Sequence, residues 1–162
     1  MKDNYKVAII TVSDKGSRGE REDKSGKIIE ELLKCWAEVV SYSIVPDEKE
    51  LIKKALMDNV DKVDLILTNG GTGLYPRDVT PDATAEVIDK EVPGIAEAIR
   101  LEGFKKAKQA ILSRAVAGVK GKTLIINLPG SPKAVQESLE VILDVLPHAI
   151  DKLKGDPTEC GK

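Results

Sequence analysis

The 162 residues carry 25 Lys and Arg against 27 Asp and Glu, a formal charge of −2, so no overall field is available to hold nucleic acid or an anionic membrane. A hydrophobic content of 41% is enough for one well-buried core, and a single domain spanning residues 1–162 is expected. The opening Met1-Lys2-Asp3-Asn4-Tyr5 lacks a signal peptide's apolar region, no apolar run approaches the roughly 20 residues of a membrane span, and Cys35 and Cys160 form no C-x-x-C pair, so a cytoplasmic protein without disulfides or zinc is expected.

Residues 6–12 form a nearly continuous apolar run rich in β-branched side chains, the pattern of a strand covered on both faces in a parallel sheet. A polar connection over residues 13–24 follows at its carboxyl end, where open α/β sheets bind ligands. Ile28, Ile29, Leu32, Leu33 and Trp36 then mark the apolar stripe of a helix, and residues 37–45 alternate as a second strand, placed near an edge by Glu38. Pro46 ends that strand, and Asp47-Glu48-Lys49-Glu50 reads as a capping box with Asp47 in the cap. Leu51, Ile52, Ala55, Leu56 and Val60 give the helix it opens an apolar face.

A third apolar strand over residues 63–67 runs into Thr68-Asn69-Gly70-Gly71-Thr72-Gly73-Leu74-Tyr75-Pro76-Arg77-Asp78-Val79-Thr80-Pro81-Asp82. Gly70, Gly71 and Gly73 permit positive φ and a close approach of backbone amides to an anion. Thr80 reads as an N-cap with Pro81 at the first helical position and Asp82 beside the positive end of the helix. A plain strand-to-helix turn needs neither the extra glycines nor Arg77 and Asp78, so this stretch is read as a ligand loop.

The helix after the glycine loop continues through Ala83, Val87 and Ile88, and Pro93-Gly94 is expected to break it before Ile95, Ala96, Ile99 and Phe104 mark another. Residues 110–117 and 123–128 read as strands of a hairpin joined across residues 118–122, which adds one antiparallel pair to an otherwise parallel sheet. Pro129-Gly130-Ser131-Pro132 leads into a last long helix with Ser131 as N-cap, and Pro147 is expected to kink it.

Two nucleotide motifs fail on inspection. Gly118-Val119-Lys120-Gly121-Lys122-Thr123 ends like a P-loop, but Val116 stands where a glycine is required and a strand follows. Gly71-x-Gly73 lacks the third glycine of a dinucleotide fingerprint, because Pro76 occupies that position. The single His148 has no His, Cys or carboxylate at ligand spacing and reads as structural. What remains is positional: polar loops after Val12, Leu67 and Leu128, two of them feeding helix N-termini, describe an anion-lined cleft.

The combination Gly70-Gly71-Thr72-Gly73, Arg77-Asp78-Val79-Thr80-Pro81-Asp82-Ala83-Thr84, Leu112-Ser113-Arg114 and Leu128-Pro129-Gly130-Ser131-Pro132 resembles the MogA/MoaB group of molybdenum-cofactor biosynthesis proteins. The resemblance runs from Thr11-Val12-Ser13-Asp14 to Gly155-Asp156 and extends to related domains of fusion proteins, including gephyrin. It implies a three-layer α/β/α fold, mostly parallel with one antiparallel hairpin. It implies binding of molybdopterin and, in active members, transfer of AMP from ATP to the pterin phosphate; the alternative is a member that binds or carries the pterin without adenylating it.

The family's two important carboxylates fall on Asp47 and Asp78, assigned to catalysis and to Mg²⁺. Its substrate positions fall on Ser13, Asp14, Gly70, Gly71, Thr72, Gly73, Arg77, Ser113, Pro129, Gly130 and Ser131. A homotrimer, or a hexamer built from two trimers, is implied as well, along with a downstream metal-insertion protein as a partner. The apolar segments at residues 92–100 and 115–122 are the expected subunit contacts.

Overall fold

The computed structural model describes residues 4–161. Its six strands are β1 (Tyr5–Val12), β2 (Ala37–Val45), β3 (Leu65–Asn69), β4 (Lys90–Glu91), β5 (Ala117–Lys120) and β6 (Thr123–Leu128), arranged in one sheet in the order β2-β1-β3-β6-β5-β4. The four strands from β2 to β6 in that order are parallel. The hairpin β5–β6 is antiparallel as expected, and the short β4 adds a second antiparallel pairing against β5 that periodicity did not announce.

Alternate side chains of β1, β3 and β6 point to opposite faces, and both faces are covered, which is why these strands read as unbroken apolar runs. On one face Val7, Ile9, Leu65, Leu67, Leu124 and Ile126 meet α2 (Lys24–Leu33), α5 (Pro93–Lys106), α6 (Pro132–Ile142) and α7 (Leu146–Leu153). On the other, Ala8, Ile10, Val12, Ile66 and Ile125 meet α3 (Lys49–Asn59) and α4 (Thr80–Val87). These layers are the α/β/α architecture. No helix among the described residues is long and apolar enough to cross a membrane.

Several local expectations are corrected. Trp36 lies beyond the end of α2 at Leu33 and packs edge-on against Tyr5, with ring centroids 5.7 Å apart. Pro93 opens α5 instead of breaking a helix, because a first-turn residue has no intrahelical partner for its missing N–H. Pro147 likewise stands in the first turn of the new helix α7, after α6 stops at Ile142 and a 3₁₀ turn covers Leu143–Val145.

The expected strand at 110–117 begins only at Ala117. Lys108–Leu112 is a 3₁₀ turn, and the carbonyls of Ser113 and Ala115 accept from the Arg100 guanidinium at 3.3 and 2.7 Å instead of joining a ladder. The hairpin turn is then only Gly121-Lys122, with Gly121 at φ +59°, the positive value that tight two-residue hairpins require.

The segments expected at subunit contacts are mostly core. Ile95, Ala96, Ile99, Ala115, Ala117 and Val119 are all buried within the subunit. Surplus apolar surface lies just beyond them, at Leu101 (63% exposed), Phe104 (41%), Ile111 (56%) and Leu112 (52%). His148 has a neighbour that its spacing did not show: the chain after Gly155 returns to set Cys160 Sγ 3.2 Å from His148 Nε2.

Leu67 is fully buried in the central strand β3. Leu67→Ala is expected to cost about 2–5 kcal/mol in chemical denaturation, the range for a core cavity that cannot collapse, and a loss under about 1 kcal/mol would show that this face is not close-packed.

Candidate active site

Because β2, β1, β3 and β6 run parallel and adjacent, their carboxyl ends gather four loops along one edge. Between those loops opens a cleft of about 940 Å³, walled by Ser13 and Asp14 after β1, Asp47 after β2, Gly70, Gly71 and Asp78 after β3, and Gly130 and Ser131 after β6. Arg21, Glu22, Asp23 and Lys24, ahead of and opening α2, close the remaining side.

The first wall is a reciprocal pairing of two aspartates. Asp14 N–H donates to Asp47 Oδ2 at 2.8 Å and Asp47 N–H donates to Asp14 Oδ1 at 3.0 Å. Ser13 caps the short helix α1 (Asp14–Ser17) by accepting from Gly16 N–H at 2.9 Å, which fixes the direction in which Asp14 leaves the strand. The capping-box reading of Asp47 is overturned: Glu48 holds the cap position of α3 without a side-chain bond, and the Asp47 carboxylate turns toward the cleft instead. Sequence spacing places a carboxylate at a helix start equally well in either role, and only the Asp14 contact separates them.

Arg77 reaches back to Asp14 with both Nε and Nη2 at 2.8 Å. Its hydrogen bonds hold the Asp14 carboxyl below the usual carboxylate range, helped by the backbone bond from Asp47. Asp47 moves the other way. Burial pushes its carboxyl up, and the negative charges of Asp14 and Asp78 add to that, against the Asp14 backbone bond and the Arg77 cation.

The glycine loop forms the second wall. Gly70 and Gly71 stand at φ +93° and +69°, and a Cβ on Gly70 would strike the Val12 carbonyl oxygen. Thr80 is not the cap of α4; Val79 holds that position, and the buried Thr80 hydroxyl donates to the Gly70 carbonyl at 2.9 Å, tying the loop to the helix start. Asp78 closes its own turn, with its N–H on the Tyr75 carbonyl at 2.8 Å and its Oδ2 accepting from Tyr75 N–H at 3.3 Å. A Cβ on Gly73 would lie 2.9 Å from that same Oδ2, so a glycine there keeps the carboxylate's place free.

On the third wall Ser131 caps α6, accepting from Ala134 N–H at 3.2 Å, with Pro132 in the first turn as expected. The N-terminus of this helix, 11 residues long, faces the cleft and favours a phosphate.

Thr72, Gly73, Arg77, Ser113 and Pro129 do not line the cleft. Thr72 is buried with its carbonyl accepting from Arg114 N–H, and Arg77 touches the cleft only through Asp14. The Ser113 hydroxyl accepts from Ala115 N–H at 3.2 Å, within its own turn.

Two groups of functional neighbours escaped the sequence. Asp23 caps α2 by accepting from Gly26 N–H and also accepts from Thr11 Oγ1 at 2.6 Å and from the Tyr42 hydroxyl, while Asn69 donates to Thr11 Oγ1 at 2.9 Å. This chain of bonds joins β2, β1 and β3 beneath the cleft. An Asp three residues before a helical glycine was the available signal for the cap; the contacts with Thr11 and Tyr42 had none. Arg114 is the other missed residue, bonded to the glycine loop at several points.

The folded-state value of Asp47 lies above its unfolded one, so the ionised carboxyl costs stability at neutral pH, and that cost is lost as the pH falls below the unfolded value. Asp47→Asn is therefore expected to melt above the parent at pH 7, with the gain shrinking as pH falls through the carboxylate range. Thermal unfolding at a series of pH values checks this; parity at pH 7, or a gain that grows in acid, would contradict it.

Residues 8–148 match the family described as "Probable molybdopterin binding domain". The molybdopterin adenylyltransferase of Helicobacter pylori is 42% identical over 155 residues, covering 93% of this chain and 88% of that protein. The Escherichia coli molybdopterin adenylyltransferase is 36% identical over 171 residues, covering 95% and 88%. Among solved structures, the molybdopterin biosynthesis enzyme MoaB of Thermus thermophilus superposes with a TM-score of 0.89 at 56% identity, covering 96% of this chain and 99% of that one. With a matched model over most of its length and relatives of this closeness, the chain belongs to the molybdopterin-binding domain family of molybdenum-cofactor biosynthesis proteins.

Proposed function

We propose that this chain is a molybdopterin adenylyltransferase. A terminal phosphate oxygen of the pterin attacks the α-phosphorus of ATP, the new P–O bond forms, and the bond to the leaving pyrophosphate breaks. Such transfers ask the protein chiefly to align two anions and offset their charge. The observation that carries the reading is that Asp47 and Asp78 stand on the wall of the same cleft as the Gly71 backbone and the α6 N-terminus, groups that suit an anion.

Asp47 and Asp78 would hold Mg²⁺, which would supply positive charge to offset that of the nucleotide phosphates. The donor set fits this ion. Mg²⁺ is typically held by one or two carboxylates with substrate phosphates and water completing its shell, and Asp47 and Asp78 supply two on the cleft wall. The amide of Gly71 and the α6 N-terminus at Ser131 would receive substrate phosphates, while the Gly70 amide is already engaged by the Leu128 carbonyl. Arg77, engaged by Asp14, would steady the first wall and temper its negative charge.

The second reading is a family member that binds molybdopterin without adenylating it. It leaves the carboxylate pair without a purpose, because a binder of an anion gains nothing from negative charge beside it. Pyrophosphate release with pterin, ATP and Mg²⁺ separates the two. Asp47→Asn and Asp78→Asn are each expected to abolish release while pterin affinity stays within about tenfold, roughly 1.4 kcal/mol. Turnover that survived both substitutions would sink the assignment, and no release by the parent would favour the binder.

The same reading carries a cytoplasmic location, a metal-inserting protein as recipient of the adenylated product, and a homotrimer, alone or paired into a hexamer. A threefold ring needs two different patches that meet heterologously. Leu101, Phe104, Ile111 and Leu112 supply an exposed apolar patch for one side of such a contact. Light scattering at micromolar concentration is expected to give the trimer mass, and Phe104→Glu with Ile111→Glu to lower it. A monomeric parent would refute the ring.

A further inference from the structure

Arg114 lies outside the cleft, yet it holds the glycine loop in both halves. Its N–H donates to the Thr72 carbonyl at 2.8 Å and its Nε to the Gly73 carbonyl at 3.1 Å, in the first half of the loop that follows β3. Its Nη2 donates to the Asp78 carbonyl at 2.7 Å, where the loop turns toward the helix. The guanidinium also meets both carboxylate oxygens of Asp82, in the first turn of α4, at 3.2 and 3.0 Å. A single side chain thus spans the first half of the loop, the backbone of Asp78 and the following helix.

A surface ion pair accounts for the Asp82 contact alone. It does not account for the two main-chain carbonyls, which require the planar fork of an arginine held in one orientation. Between those anchors the loop is open: Leu74 and Tyr75 are 66% and 70% exposed. The remaining ties there are the Tyr75–Asp78 turn and the Arg77–Asp14 pair, both at the surface.

We infer that Arg114 is a positioning residue for Asp78, fixing the backbone from which that carboxylate meets a nucleotide-bound divalent cation. The inference rests on the adenylyl-transfer reading for the cation and on the contacts above for the loop. Asp82 orients the guanidinium for this task. Lysine does not replace the arginine, since one ammonium on a flexible stem cannot serve two carbonyls and a carboxylate in those directions.

The test uses the full chain with Arg114→Lys, Arg114→Gln and Asp82→Asn. Binding of α,β-methylene-ATP is measured by calorimetry with Mn²⁺ and again with a chelator, and exchange of the Tyr75 and Asp78 amides is followed by mass spectrometry on the same samples. Both Arg114 variants are expected to lose about ten- to a hundredfold of the Mn²⁺-dependent affinity, as loss of a supporting contact behind a metal ligand does, while metal-free affinity stays within about twofold. The two amides exchange faster in both, and Asp82→Asn falls between them and the parent. Mn²⁺-dependent affinity within about twofold of the parent in both Arg114 variants, with unchanged amide exchange, would overturn the inference. An equal loss of metal-free and metal-dependent affinity would also overturn it, by showing a general loosening of the fold. A parent that binds no Mn²⁺-nucleotide refutes the adenylyl-transfer reading separately, and amide exchange then decides the role of Arg114 alone.

Discussion

The reciprocal bonds between Asp14 and Asp47 are the constraint on which the site depends. They join the loop after one strand to the loop after its neighbour by two main-chain donors and two carboxylates, and so place negative groups side by side on the cleft wall. Burial, and after it the repulsion of neighbouring carboxylates, favours protonation there, and the carboxyl of Asp47 is raised accordingly. The Arg77 fork on Asp14 relieves part of that repulsion, and among the described residues neither Asp47 nor Asp78 forms an ion pair of its own. A bound divalent ion would offset that negative charge, which is the support for the metal-nucleotide site proposed above.

The rest of the molecule supplies the stiffness this arrangement needs. Parallel pairing of β2, β1, β3 and β6 sets their carboxyl ends in a row, and apolar side chains on both faces lock that register, since a one-residue slip would exchange the two packed faces and mismatch each against its helices. The Asn69–Thr11–Asp23–Tyr42 bonds cross three strands beneath the cleft, so the loops rest on a polar floor as well as an apolar one. The positive φ that glycine allows at positions 70 and 71 is fixed in place by the Thr80 hydroxyl and the Leu128 carbonyl, which hold the loop from both sides.

Much of this was legible in the chain. The apolar runs of β1, β3 and β6 and the stripes of α2, α3 and α6 follow from periodicity, and the three polar strand-end loops follow from their order. What was not legible depends on contacts distant in sequence. Asp47 looked like a cap because local spacing cannot show Asp14 thirty-three residues away. Residues 110–116 looked like a strand because Ile111 and Leu112 are apolar, whereas both are exposed and the nearby carbonyls are claimed by Arg100. Ser113 was singled out by its motif, yet in the structure it is the neighbouring Arg114 that reaches the glycine loop.

The central claim is that Asp47 and Asp78 together receive the divalent cation of a bound nucleotide. A crystal grown with Mn²⁺ and α,β-methylene-ATP, with data collected at the manganese absorption edge, tests it without any turnover assay. The account predicts one anomalous peak in the cleft at about 2.1 Å from a carboxylate oxygen of each residue and from nucleotide phosphate oxygens. A nucleotide bound with its metal away from both carboxylates would contradict it.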